Sequence, residues 1–238
     1  SMTEEQIAMV AKWVDSGAPK GDMKDMPSAK VWPNEQGWNF AAQFGQKEPD
    51  LIIRSTPWTQ KAGANDTWWK PVVESGLTED RWVRAIEIRP GTVKGRKITH
   101  HAIANLMQEE DGLAANDADP NGRQQAGTFM EWAVGKQGEM MRPNSGKLLK
   151  AGSKFRWDIH YSNGGEDITD VVELGIYFYP KGQEPKYRQV LHLMGGTNAG
   201  GVDIPPNTLK LTEGFFVLHE NGRVESFHPH MHLRGKAM

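Results

Sequence analysis

Hydrophobic and polar positions along the chain fall into two regimes. Over residues 3–16 apolar side chains recur at helical spacing: Ile7, Val10 and Val14 share one face, with Ala11 and Trp13 beside it. Thr3 and Gln6 fit a capping box, and Gly17 and Pro19 supply stop signals, so the pattern predicts a helix over 3–16. Residues 18–50 are rich in Pro, Gly, Lys and Asp, with scattered Trp, and read as a connector. From about residue 51 the pattern becomes that of short strands. Residues 81–88 form one, ended by Pro90-Gly91, and Thr99 to Met107 form another. Phe155, Trp157, Ile159 and Tyr161 alternate with Lys154, Arg156, Asp158 and His160, which is a period-two strand. Val171 to Tyr179 is a strongly apolar strand, and residues 109–127 are a polar loop. Beyond Pro205-Pro206 a short strand is predicted at Gly214 to Leu218, followed by a hairpin turn at Asn221-Gly222. Many short strands joined by polar loops predict an all-β, jelly-roll-like β-sandwich with a short N-terminal helix.

Composition narrows the chemistry. Gly 26 and Pro 14 in 238 residues favour a turn-rich all-β fold over a helix bundle. Lys plus Arg number 28 against 30 Asp plus Glu, which gives no electrostatic case for nucleic acid. No apolar run approaches the ~18–20 residues of a membrane helix. The start, Ser1 to Glu5, lacks the basic and apolar regions of a signal peptide, and Ser1-Met2 reads as a cloning remnant. Cysteine is zero, which excludes disulfides, thiolate metal sites, covalent c-type haem and cysteine nucleophiles. Any transition-metal site must therefore come from imidazole, carboxylate or thioether, and the eight histidines are clustered.

His100 and His101 are adjacent in a predicted strand, where neighbouring side chains point to opposite faces. They can share an ion only if the strand bends, bulges or ends there; otherwise they are two unrelated residues. His160 lies on the polar face of its strand, so it is either solvated or aimed into a metal cleft. His230 and His232 are two apart and point to one face of a strand, close enough to share an ion. The alternative is an incidental His-rich tract, against which the Leu233-Arg234-Gly235-Lys236 continuation argues. Neutral imidazole suits copper, zinc, iron or nickel. His192 and His219 sit in apolar runs and read as packing residues. The carboxylate clusters at Glu109-Glu110-Asp111 and Glu166-Asp167 read as solvated turns, and Gly195-Gly196 and Gly200-Gly201 lack the strand–helix context of a nucleotide site.

Three segments together carry a resemblance: Thr99-His-His-Ala102, Asp158-Ile-His-Tyr-Ser-Asn-Gly164 and Pro229-His-Met-His-Leu-Arg-Gly-Lys236. Their order and spacing resemble the copper type II, ascorbate-dependent monooxygenases of the peptidylglycine α-hydroxylating type. The match extends to a bacterial branch in which the copper region follows a c-type cytochrome. Lys12 to Pro19 resembles the last helix of such a cytochrome, with no haem attachment site. The resemblance implies three segments: a cytochrome remnant over 1–34, an N-terminal copper sandwich over 35–185, and the start of a second copper sandwich over 186–238. It implies that His100, His101 and His160 hold an electron-accepting copper. His230 and His232 would supply two ligands of a second copper, where O2 binds and a C–H bond of a small-molecule substrate is hydroxylated. The electron donor would be a c-type cytochrome or a small reductant, and the location periplasmic or otherwise extracytoplasmic.

The chain departs from the family pattern in three places. The methionine that completes the family's second copper site lies many residues after the His-x-His pair, whereas Met231 and Met238 are too close to His232. His228 stands where peptide-processing members carry a carboxylate-binding Arg, which argues against a peptidylglycine substrate and offers an extra imidazole. The animal enzymes are disulfide-rich and this chain has no cysteine. These departures set three readings side by side: a copper monooxygenase fragment, a copper-binding or electron-transfer module without chemistry of its own, and a sandwich that binds no metal. A partial second sandwich further predicts self-association through unpaired strand edges.

Overall fold

The computed structural model describes residues 2–28, 37–108, 127–190, 204–213, 221–229, 231 and 235–237. The chain divides into two units, residues 1–48 and 49–238. In the first unit a helix, α1 (Glu4–Asp15), begins at Thr3 with the reciprocal capping box the sequence predicts: Gln6 N–H donates to Thr3 Oγ1, and Thr3 N–H donates to Gln6 Oε1. Trp13 Nε1 donates to the Pro19 carbonyl at 3.0 Å, which folds the chain back after Gly17. Among the described residues no helix is long and apolar enough to cross a membrane.

The second unit is all β. Its strands are β1 (Leu51–Arg54), β2 (Trp58–Gln60), β3 (Thr67–Trp69), β4 (Val72–Glu74), β5 (Arg81–Pro90), β6 (Thr99–Met107), β7 (Thr128–Ala133), β8 (Glu139–Met140), β9 (Ser145–Leu149), β10 (Lys154–Tyr161), β11 (Ile168–Asp170), β12 (Val172–Phe178) and β13 (Tyr187–Arg188). One sheet has the order β1-β12-β5-β9-β13, with β8 pairing the middle of β5 at Ala85 and Ile86. The other has the order β3-β10-β6-β7, with β4 pairing the first half of β10. β11 and β2 form a separate two-stranded ribbon. Among the described residues all pairs are antiparallel except β13 with β9.

The alternation of each strand builds the core. Phe155, Trp157, Ile159 and Tyr161 of β10 join Ala102, Ala104 and Leu106 of β6 and Met130 and Trp132 of β7. Facing them are Ile86 and Ile88 of β5 and Val172, Leu174, Ile176 and Phe178 of β12. The register sets large against small: Trp157 opposes Ala104, and Ile159 opposes Ala102. The opposite side chains of β10, Lys154, Arg156, Asp158 and His160, share the outer face of this sheet with His101, Ile103 and Asn105 of β6.

The fold class is the β-sandwich that the sequence predicts. The strand predicted at Gly214 to Leu218, His192, His219 and the polar loop before residue 127 lie outside the described residues, as do His230 and His232. Within 186–238, β13 joins the first sheet beside β9, while residues 204–213 and 221–229 carry no regular secondary structure.

The turn that feeds β6 is held by a buried carboxylate. Asp170 accepts from the Thr92 N–H at 2.9 Å and from Thr92 Oγ1 at 2.8 Å, and Gly95 N–H donates to Thr92 Oγ1 at 2.8 Å. Gly95 packs so closely that a Cβ there would overlap the Asp170 carboxylate. Gly95→Ala is expected to lower stability by about 1–3 kcal/mol through overpacking. The check is the urea midpoint, which should fall with the slope unchanged.

Candidate metal centre

The outer face of the β3-β10-β6-β7 sheet gathers three imidazoles. His160 of β10 lies opposite His101 of β6, and the next pair is Tyr161 with Thr99. One step along β10 therefore spans two along β6, and the register shift falls there. His100 is the extra residue of a β-bulge. A bulge re-aims a side chain that a regular strand would send to the other face. The bulge is anchored on its upstream side, where Ile98 O accepts from the Ser162 N–H at 2.7 Å and Thr99 Oγ1 donates to Gly95 O at 2.8 Å. Of the two arrangements open for the adjacent histidines, the structure adopts the one in which both face a common point.

The three rings stand edge-on to one another like blades around an axis. Ring centroids are 4.9 Å apart for His100 with His160 and for His101 with His160, and 5.3 Å for His100 with His101, with interplanar angles of 67–68°. One nitrogen from each lies within 4.8 Å of the others, so the set can hold a metal ion. Nδ1 of His100 and Nδ1 of His101 are 3.1 Å apart. Two imidazole nitrogens bound to one ion at ~2.0–2.1 Å, with angles between 90° and tetrahedral, sit about 2.8–3.4 Å apart. The pair already has that spacing.

His160 supplies the third donor. Its Nε2 lies 2.9 Å from Asp66 Oδ2, while its Nδ1 is buried with no hydrogen-bond partner among the described residues. A buried polar nitrogen without a partner is costly, and a metal bond would satisfy it. His160 is only 9% exposed although its strand face is polar. The cover is Trp68 of β3, directly opposite in register, whose ring stacks on the imidazole at 4.4 Å and 7°. Trp69, one residue on, points the other way and packs on Trp58, with ring centroids 4.7 Å apart.

At His101 the electrostatics favour the neutral imidazole, the form that binds metal. Burial first, then the nearby His160 and His100 rings, hold the His101 pKa below the ordinary histidine value. The carboxylates of Asp158 and Glu131 pull it the other way. Asp158 is itself engaged by Lys70 Nζ at 2.9 Å. His100 is exposed and His101 half-buried, so the site is open to solvent on the His100 side.

The three histidines stand out in the sequence, but the residues that surround them do not. Asp66 and Trp68 carry no local signal, because both reach His160 through strand pairing across more than ninety residues. His228, expected as an extra imidazole, is placed against β7: its Nδ1 lies 3.2 Å from Glu131 Oε2. Ile103 is opposite Glu131 on one side and Asp158 on the other, so that pair lies one row along the sheet from the row of His101 and His160. The expected second ligand pair, His230 and His232, falls outside the described residues. No family model and no curated protein matches the chain.

Proposed function

We propose that the chain is the electron-accepting copper domain of a type II copper monooxygenase-like protein, with the ion held by His100, His101 and His160. The observation that carries this reading is the convergence of the three imidazoles: a bulge turns His100 beside His101, and strand pairing brings in His160 from about sixty residues away. That is the ligand set the sequence resemblance implies. Three neutral imidazoles and no thiolate form a donor set that copper, zinc or nickel accepts, and copper(II) binds such a set most tightly of the divalent first-row ions. The residues therefore fit the ion.

Bound copper would supply one-electron chemistry, which none of these side chains provides by itself. The chain's own contribution is geometric. The bulge holds two imidazoles at ligand spacing before an ion arrives, so little reorganisation accompanies binding. Trp68 covers His160 and excludes water from that side, while exposed His100 leaves the opposite side open to a donor. The electron source belonging to this reading is a c-type cytochrome or a small reductant, and the setting is extracytoplasmic. Hydroxylation of a small-molecule C–H bond would take place at a second copper using His230 and His232.

The test is redox titration of copper-loaded protein. One equivalent of ascorbate-derived electrons should remove the copper(II) signal of this site, and O2 should restore it. A site that takes up zinc but gives no reducible copper would defeat the reading. Trp68 gives an independent optical check. An indole stacked on a ligand of an open-shell ion transfers its excitation to that ion. Copper(II) binding should therefore quench part of the tryptophan fluorescence, and Trp68→Phe should remove most of that quenched part while binding persists.

A further inference from the structure

Asp66 is the one carboxylate in hydrogen-bond contact with a ring of the triad among the contacts described. Its Oδ2 lies 2.9 Å from His160 Nε2, while the ring's other nitrogen, Nδ1, is buried and without a hydrogen-bond partner among the described residues. A neutral imidazole has one N–H and one lone pair. If Nε2 carries the hydrogen and donates it to Asp66, the lone pair is on Nδ1, the ring nitrogen left for an ion. Contact with the carboxylate thus selects the tautomer that can bind an ion.

The carboxylate is held in place by its loop. The buried Gln60 side chain donates from Nε2 to the Asn65 carbonyl at 2.9 Å, and Thr67 Oγ1 donates to the same carbonyl at 3.3 Å. Gly63 N–H donates to Asn163 Oδ1 at 3.1 Å, and Ala62 N–H to Asp167 Oδ1 at 2.9 Å. These bonds tie the segment before β3 to the one after β10, so Asp66 approaches His160 from a braced backbone. Trp68, two residues on, stacks on the ring face. The ring is thereby fixed at its edge and on its face at once.

We infer that Asp66 is a positioning residue that orients His160, strengthens it as a donor and lowers the reduction potential of the bound metal. This rests on the copper reading above. Carboxylate contact gives the imidazole partial anionic character, which stabilises copper(II) more than copper(I). The couple it would tune is copper(II)/copper(I), whose one electron would come from a small reductant such as ascorbate, itself oxidised in the exchange. No bond to the protein forms or breaks in that step.

The experiment compares wild type, Asp66→Asn, Asp66→Glu and the control Glu166→Gln, each loaded with copper and matched for folding by circular dichroism. Asp66→Asn keeps the shape but removes the charge. It should weaken copper(II) binding by about 10- to 100-fold, the range for loss of such an outer partner. With copper(I) affinity unchanged, each tenfold loss raises the potential by about 59 mV. Asp66→Glu, which restores the carboxylate, should lie closer to wild type in both measures. Glu166→Gln removes an equal charge from the segment after β10, where Glu166 pairs with Lys94 and does not touch His160, and should change neither. Equal potentials and affinities in wild type and Asp66→Asn would overturn the inference while leaving the copper site intact. A shift of the same size in Glu166→Gln would also overturn it, because the effect would then be general charge. Wild type that holds no copper would defeat both this inference and the reading beneath it.

Discussion

His160→Ala is expected to abolish tight copper binding while leaving the sandwich folded. The substitution removes one of three nitrogen donors. Structural ions held by four ligands contribute about 10–16 kcal/mol in all, so one lost donor is expected to cost at least about a hundredfold in affinity. The fold survives because His160 lies on the outer face of β10, while Phe155, Trp157, Ile159 and Tyr161 make the core contacts of that strand. Removal of the imidazole also relieves its buried, unpartnered Nδ1. Stability should therefore change little in the absence of metal. Isothermal titration with copper(II), alongside a thermal melt of the metal-free protein, checks both halves. His101→Ala should behave similarly, because His101 is the half-buried ligand directly paired to His160.

Trp157→Ala should have the opposite profile, with a large loss of stability. Trp157 is fully buried on β10, between the two sheets and opposite Ala104. Truncating an indole in such a core leaves a cavity, and the usual cost is about 3–5 kcal/mol. Small domains are stable by only about 5–15 kcal/mol, so much of the margin would go. Trp157→Phe should lose less, since it refills most of the volume and removes an indole N–H that has no hydrogen-bond partner among the described residues. Urea unfolding with and without copper separates this effect from a ligand defect. Copper at a hundred times its Kd stabilises by about 2.7 kcal/mol if it binds the folded state alone. That increment should appear in wild type and in Trp157→Ala, and vanish in His160→Ala.

These two residues show how unevenly the chain reveals itself. Trp157 is legible because period-two alternation over 154–161 assigns every side chain of β10 to a face. The same reasoning identified β5, β6 and β12 close to their observed bounds, since long, regular strands carry the strongest periodicity. The three-residue strands β2, β3, β4 and β11 are too short to show a period, and pairing with longer neighbours defines them. At the metal centre the residue types and motif order singled out His100, His101 and His160, but alternation alone set the first two on opposite faces. The bulge that resolves this is a property of register between β6 and β10, which neither strand's sequence carries. Likewise His160 reads as solvated until Trp68, on a strand far away in the chain, is laid over it. Asp66 is one of many acidic residues in turns, and only its position beside Nε2 distinguishes it.

The most direct test of the proposed copper centre is pulsed electron paramagnetic resonance on protein loaded with one equivalent of copper(II). Couplings from three imidazole nitrogens are expected, all lost when His100, His101 and His160 are replaced together by alanine in a chain that still folds. A spectrum left unchanged by that triple replacement, or protein that retains no copper after desalting, would contradict it.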